Sequence, residues 1–398
     1  MSDPWPNAAQ GQIQTFIRRQ TQPATQAMST VSKLFQPLSV GTSSLQHRIV
    51  MAPLTRFRAN AQHEPQDVAV EYYTQRASVP GTMIITEATF IANEAGGYPN
   101  IPGIWSPTQI AQWKKITDAV HSKGSFIYLQ MWAIGRAAYP DVLAKEGGFP
   151  HVSSGDVPID DERGAPRPLT VPEIKKYVQL YATAAKNAVE GAGFDGVEVH
   201  GAHGYLIDQF FETSINNRTD EYGGSVENRI RFGMEVVDAV VAAVGQKRTG
   251  LRISPWSRWQ VGDRMEDPLP TFTEFVRRVS NAYPEFAYIH VVEPRISGEG
   301  FQSVTYESNE PLRQIWAPKP YIAVGGFSRE EAIKTADEKD ILIAFGRQFI
   351  SNPDLPLRLK NDYPLNAYDR ESFYTPGPEA IKGYIDYPFY STQPKPRG

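Results

Sequence analysis

From His47 onward, short apolar runs rich in β-branched residues alternate with longer stretches of helical periodicity. The runs are Arg48–Ala52, Thr82–Thr89, Phe126–Trp132, Gly196–His200, Gly250–Pro255, Tyr288–Glu293, Tyr321–Gly326 and Ile341–Gly346. They are nearly continuous in apolar residues, as strands buried on both faces must be. The stretches between them carry helix-start chemistry. Ser106-Pro107 puts a capping oxygen before a proline already set for a first helical position, and Ile110, Trp113, Ile116 and Val120 follow at helical spacing. Thr170-Val-Pro-Glu173 is a capping box ahead of a long helix expected to end near Gly191, and Ser328-Arg-Glu-Glu331 is another. Ile230, Met234, Val237 and Val241 mark one face of a further helix. Eight strand–helix repeats predict a single (β/α)8 TIM barrel, an α/β fold with loop insertions over its C-terminal face. A doubly wound sheet is the alternative, but no Gly-x-Gly-x-x-Gly follows the first strand. The connections at 133–169 and 294–308 are expected over or beside the barrel mouth. After residue 355 the pattern reads as a helix followed by a loop-rich, aromatic tail.

Composition narrows the partners. The chain has 398 residues, 41% hydrophobic and 21% charged, too apolar for a disordered chain and too charged for a membrane one. A net charge of −4 implies no broad basic face, so nucleic acid is not the expected partner. No apolar run approaches the roughly 18–20 residues that span a bilayer. Cysteine is absent, which removes disulfides, thiolate metal sites and cysteine nucleophiles and fits a reducing, cytoplasmic setting. Residues 1–30 are rich in Gln, Ser, Thr and Ala and lack the apolar core of a secretory signal. They are expected to be a disordered leader, with Met28 itself able to serve as a start. Residues 31–398 are expected to form one catalytic barrel domain.

Chemistry in such barrels gathers at the C-terminal ends of the strands. Those ends offer Pro53–Thr55, Glu87–Ala88, Gln130–Trp132, His200–Tyr205, Arg252, Glu293–Arg295, Gly325–Gly326 and Gly346–Arg347. Glu87 and Glu293 are candidates for carboxylate chemistry but form no clear pair. No lysine is placed for a Schiff base. His200 and His203 lack a third metal ligand at suitable spacing. Two imidazoles, a tyrosine and an arginine remain, with a phosphate site in which Gly325-Gly326 and Gly346 let backbone N–H groups approach and Arg347 supplies a fork of donors.

Several longer stretches then carry a resemblance: Met51-Ala-Pro-Leu-Thr-Arg-Phe-Arg58, Gly81-Thr-Met-Ile-Ile-Thr-Glu87, His200-Gly-Ala-His-Gly-Tyr-Leu-Ile-Asp-Gln-Phe210 and Asn217-Arg-Thr-Asp-Glu-Tyr-Gly-Gly-Ser225 with Glu227-Asn-Arg229. Phe345-Gly-Arg-Gln-Phe-Ile-Ser-Asn-Pro-Asp354 and Gly383-Tyr-Ile-Asp-Tyr-Pro388 complete the set. Together, over about residues 32–390, the chain resembles the old yellow enzyme family of flavin-dependent ene-reductases. The resemblance implies FMN as cofactor, NADPH or NADH as hydride donor, and an α,β-unsaturated carbonyl compound as substrate, on a monomer or homodimer. It implies that Thr55 bonds the flavin C4 carbonyl, that Pro53 and Ala88 line the ring, and that Gln130 and Arg252 meet its pyrimidine edge. It makes Gly326, Gly346 and Arg347 the phosphate binders, His200 and His203 the donors to the substrate oxygen, and Tyr205 the proton donor. Trp132, Trp259, Tyr374 and Phe301 are expected in the substrate pocket, with Arg295–Phe301 as a lid. Arg136 reads as a solvated loop charge, or else as a group that recognises an anionic substrate. The leader has no match in the family, and the lid connection looks shorter than in some relatives. Asn217-Arg-Thr219 fits a glycosylation pattern but reads as part of the family motif. An FMN-dependent isomerase of a biosynthetic pathway is the alternative activity. A barrel that only binds a ligand ranks lower, and a non-flavin lyase or aldolase ranks last.

Overall fold

The computed structural model describes residues 31–262, 264–297, 300, 301 and 307–391. The leader expected at 1–30 lies outside them. Eight parallel strands form a closed barrel: β1 Ile49–Met51, β2 Met83–Ile85, β3 Phe126–Trp132, β4 Gly196–Gly201, β5 Thr249–Ile253, β6 Tyr288–Val292, β7 Tyr321–Val324 and β8 Leu342–Phe345. Ala344 of β8 faces Val50 of β1, Val50 faces Met83 of β2, and Met83 faces Phe126 of β3, which closes the ring. The outer layer holds α1 Asp67–Arg76, α2 Pro107–Ser122, α3 Val171–Lys186, α4 Val226–Val244, α5 Leu269–Ala282, α6 Glu310–Trp316 and α7 Arg329–Lys339. Short helices Arg347–Ser351 and Leu355–Asn361 follow β8.

The two-residue period of each strand sorts its side chains. Val197, Val199, Leu251, Ile253, Ile289 and Val291 point outward and join the helices in one large core. On the other face Tyr128 and Tyr288 meet edge to face at 5.7 Å inside the barrel. Gly196 and Gly250 make room for them: a Cβ at either position would lie 2.3 Å from a tyrosine ring atom. An antiparallel hairpin, Leu38–Val40 with Ser43–Leu45, closes the bottom by burying Val40 and Leu45 against this inner cluster. It precedes His47, and its strands are too short for a period to register.

The second run, expected as one strand over Thr82–Thr89, is instead split into Met83–Ile85 and Thr89–Phe90. Local polar groups cause the break: the Thr86 and Thr89 hydroxyls both donate to the Glu87 carbonyl, and the Glu87 N–H donates to the Tyr73 hydroxyl. The helix expected to run to Gly191 is α-helical to Lys186 and ends in a π turn over Asn187–Gly191. In α4 the buried face holds Ile230, Gly233, Val236, Val237 and Val240, while Met234 and Val241 are only partly buried.

The tail after residue 362 has no regular ladder for its carbonyls, and buried arginines supply the donors. Arg56 donates to Phe373 O at 3.1 Å and Gly383 O at 2.8 Å. Arg58 donates to Ser372 O at 2.9 Å and Ala380 O at 3.0 Å. Arg76 donates to Ile350 O at 2.6 Å and Tyr384 O at 3.0 Å. The tail is thereby held against the barrel rim.

At the start of β1, His47 accepts from the Ile49 N–H at 3.2 Å and lies 3.0 Å from the Thr82 hydroxyl. Burial pushes its pKa down to about 4, with an ordinary value of 6.5. Between those values the unfolded chain binds the proton and the folded chain does not, so stability rises with pH across that window. We expect the unfolding free energy from urea titrations to fall as pH drops from about 6.5 to about 4. His47→Gln, which takes up no proton, should flatten part of that slope; an unchanged slope would assign it elsewhere.

Candidate active site

The strand ends and the connections that follow them enclose one cavity of about 1090 Å³. Its rim and walls include every residue that the resemblance gives to the flavin, the phosphate, the chemistry or the substrate pocket except Phe301, whose side chain lies outside the described residues. Gln130 and Trp132 come from β3, His200 from β4 and Arg252 from β5. Pro53 and Thr55 follow β1, and Ala88 follows β2. Gly326 follows β7, and Gly346 and Arg347 follow β8. Trp259 and Tyr374 reach in from the loop after β5 and from the tail, 41% and 46% exposed. Of the expected lid, Ile296 lines the cavity and Ile296–Ser297 pairs with Gly300–Phe301. Gly298 lies outside the described residues.

Position along the strands decides what each inner side chain meets. One layer above the tyrosines lie Gln130, Glu198, Arg252 and His290, all buried. Gln130 Nε2 donates to Glu198 Oε1 at 2.7 Å, and His290 Nδ1 lies 2.9 Å from Glu198 Oε2. This commits the amide N–H of Gln130 to the carboxylate and leaves its Oε1 as an acceptor. Arg252 is buried with a Nε that has no hydrogen-bond partner among the described residues. The Glu198 carboxylate offsets part of its charge.

One layer higher, the rings of His200, Tyr205 and Trp132 share a corner. His200 stacks on Trp132 at 6.1 Å and meets Tyr205 edge-on at 5.1 Å, and Tyr205 meets Trp132 edge-on at 4.7 Å. His200 Nδ1 accepts the Ala202 N–H at 3.3 Å. Burial first, then the Arg252 charge, hold His200 well below the usual histidine range. A neutral ring that accepts at Nδ1 carries its proton on Nε2. His203 is held neutral by the same two causes, and its Nδ1 lies 3.2 Å from the Ser257 hydroxyl. Burial raises the Tyr205 hydroxyl well above the ordinary range, with hydrogen bonds from Gln260 and Trp259 pulling the other way.

The opposite end of the cavity is built from glycine and arginine. Gly325 and Gly326 take φ of 159° and 66°, and a Cβ on Gly325 would lie 2.6 Å from that of Glu293. Arg347 and Arg370 line this region. An acceptor amide, an unpartnered buried guanidinium and a glycine–arginine end suit a planar ring with N–H and C=O edges joined to a phosphate. FMN fits this donor set.

Sequence comparison agrees. A profile of the NADH:flavin oxidoreductase / NADH oxidase family matches residues 33–366. The chain belongs to the old yellow enzyme family. It is an FMN-dependent oxidoreductase of that family. It is 50% identical over 363 residues to the chanoclavine-I aldehyde reductase fgaOx3 of Penicillium roqueforti, covering 90% of this chain and 97% of the relative. It is 49% identical over 371 residues to the NADP-dependent oxidoreductase lnbE of Aspergillus flavus, again covering 90% and 97%. Among solved structures, Old Yellow Enzyme from Pichia sp. AKU4542 superposes with a TM-score of 0.84 at 38% identity, over 92% of this chain and 95% of that one.

Within this old yellow enzyme barrel some expectations change. Glu87 does not line the cavity: its Oε2 accepts the Arg56 N–H at 3.1 Å, and burial pushes its carboxyl up to about 7. Glu293 stays outside it too, packed against Gly325. Arg136 is neither a solvated charge nor a cavity group. It is buried and donates to Val157 O and Pro158 O at 3.2 Å each, to Gln260 O at 2.8 Å and to Val261 O at 3.2 Å. Glu198, His290 and Gln260 were not selected from the sequence. The first two had a signal, since each is a lone polar residue between apolar ones in a strand run. Gln260 had none.

Arg136 ties two connections that share no other regular structure. Arg136→Met keeps the stem but leaves those carbonyls without donors, and should cost about 2–4 kcal/mol of stability. Chemical unfolding of the variant measures it; a loss within about 0.5 kcal/mol would show the carbonyls find other donors.

Proposed function

We propose that the protein reduces the C=C bond of α,β-unsaturated aldehydes and ketones, with NADPH or NADH as the hydride source. FMN, when bound, would supply the hydride relay between the nicotinamide and the alkene β-carbon. Thr55, Gln130 and Arg252 would hold its ring, and Gly326, Gly346 and Arg347 its phosphate. The observation that carries the reading is the corner formed by His200, His203 and Tyr205. A neutral His200 with its proton on Nε2 is a donor for a carbonyl oxygen that gains charge, and His203 adds a second neutral ring beside it. Neither ring has to lose a proton for this, so the donors stay in place at any pH above their lowered titration. Tyr205 holds its proton against ordinary bases, because burial raises its pKa. It releases that proton to a strongly basic enolate carbon, completing net addition across the double bond. The aromatic walls, Trp132, Trp259 and Tyr374, suit an extended apolar substrate. Names of relatives add weight to the aldehyde branch and to NADPH: one is an aldehyde reductase and another is NADP-dependent.

Tyr205→Phe should slow reoxidation of the reduced flavin by an enone about a hundredfold or more, the usual span for a lost acid. Its reduction by NADPH should be unaltered. Stopped-flow spectra separate the two steps, and equal loss in both would sink the assignment. One NADPH consumed per product counts for reduction; product without NADPH use would turn the reading to isomerisation.

Arg347→Ala should raise the dissociation constant for FMN about tenfold to a hundredfold, the worth of a charge-assisted hydrogen bond. Flavin fluorescence titrated with apoprotein reports it. Full retention of FMN would place the phosphate elsewhere.

A further inference from the structure

Tyr205 is not alone in its corner. Gln260 Nε2 donates to the Tyr205 hydroxyl at 3.1 Å. Gln260 itself sits at φ 57°, a left-handed conformation that a non-glycine residue adopts at a cost. Its Oε1 is buried with no partner among the described residues. Two contacts hold the residue there. Its carbonyl accepts from Arg136 Nη2 at 2.8 Å. Its backbone also lies directly on Gly204, where a Cβ would come within 2.8 Å of Trp259 O and 2.9 Å of the Gln260 carbonyl carbon. The residue before Tyr205 and the residue that bonds its hydroxyl are therefore packed backbone to backbone. A residue held in a strained backbone conformation, with its amide on the Tyr205 hydroxyl and also acting on that of Tyr98, and with its Oε1 left unpaired, is poorly explained by packing alone.

We propose that Gln260 is a positioning residue for the proton transfer, holding the Tyr205 hydroxyl in place and stabilising the phenolate left when its proton goes to the substrate carbon. This rests on the assignment of Tyr205 as donor. In that step the O–H bond of Tyr205 breaks and a C–H bond forms at the α-carbon, while the charge of the enolate passes to the phenolate oxygen. The amide N–H already points at that oxygen, so its hydrogen bond strengthens as charge arrives and costs no rearrangement. Trp259 acts on the hydroxyl in the same direction. Tyr98 and Tyr374 act against it, and Arg252 interacts with it electrostatically. Arg136 supports the arrangement from behind by fixing the Gln260 backbone.

The test is a double-mutant cycle on the holoenzyme, read as flavin reoxidation by cyclohexenone. Gln260→Leu removes the donor, keeps an unbranched Cβ and should slow reoxidation about tenfold to a hundredfold. In a Tyr205→Phe background the same change should have no further effect, because its target is gone. Equal slowing in both backgrounds would make Gln260 a wall of the pocket and overturn the proposal; so would no slowing in either. If Tyr205→Phe alone changes nothing, the donor assignment fails first and takes this proposal with it. Gln260→Glu keeps the shape but cannot donate when ionised. Its reoxidation rate should recover as pH falls and the carboxyl protonates, and a flat profile would count against the proposal. A readout independent of turnover is the resonance of a carbon label beneath the Tyr205 hydroxyl. At neutral pH that resonance should move in Gln260→Leu relative to the parent, because the phenol loses its hydrogen-bond donor, and coincident positions would overturn the proposal.

Discussion

Connections that leave a barrel rim carry carbonyls with no ladder to satisfy them, and a buried carbonyl without a donor costs about as much as a lost hydrogen bond. This chain meets that cost with arginine. Arg56, Arg58 and Arg76 hold the tail, Arg136 joins the loops at 157–158 and 260–261, and Arg218 donates to Ser154 O and Leu169 O. Arg358 donates to Pro364 O and Pro388 O. Each guanidinium is planar with several fixed donors, so one side chain reaches carbonyls from segments that share no secondary structure. The cavity walls depend on these clamps, because Tyr374 stands on the tail and Gln260 on a loop.

Below the walls the barrel supplies a different kind of order. Its inner positions change character with depth, from tyrosines packed against the closing hairpin, through Gln130, Glu198, Arg252 and His290, to His200 at the mouth. Glu198 is central to the middle layer. It fixes the Gln130 amide on one oxygen, engages His290 on the other, and offsets the Arg252 charge. Removing it would leave a buried cation without compensation, the costly way to break such a pair. The Arg252 charge in turn helps keep His200 and His203 neutral. The charge that suits the flavin edge and the neutrality that suits a donor pair thus come from the same residue.

The chain order made much of this legible. Strand-spaced apolar runs located all eight barrel strands, because burial on both faces leaves little else they can be. Strand ends then pointed to His200, Arg252 and Gly346–Arg347, since the fold puts chemistry there. What escaped did so for physical reasons. The hairpin at 38–45 is too short for a period, and Thr86–Ala88 breaks its strand through hydroxyl bonds that no hydropathy pattern records. Glu87 looked like a strand-end carboxylate, but the turn points it at the Arg56 backbone. From sequence Arg136 reads as a solvated loop charge or an anion-recognising group, since neither pattern nor spacing places its partners, and only the three-dimensional meeting of two loops shows what it binds. Gln260 was illegible for the same reason.

This division between strand and loop bears on how such a site can vary. The groups that would touch the flavin ring, Gln130 and Arg252, and the proposed donor His200 stand on strands whose register is fixed by the closed ladder. Trp259, Tyr374 and the Tyr139–Arg163 side of the cavity stand on connections held by side-chain donors. A substitution in the second group reshapes the space offered to a substrate and leaves the strand-borne chemistry in place. Gln260 breaks that separation. It is loop-borne, yet it bonds the hydroxyl assigned to proton delivery, so any change in the loop that displaces it reaches the chemistry as well as the fit. The strained φ at Gln260 and the buried Arg136 that holds it are what such a coupling requires: a loop residue that acts on a reacting atom has to be held as firmly as a strand holds its own.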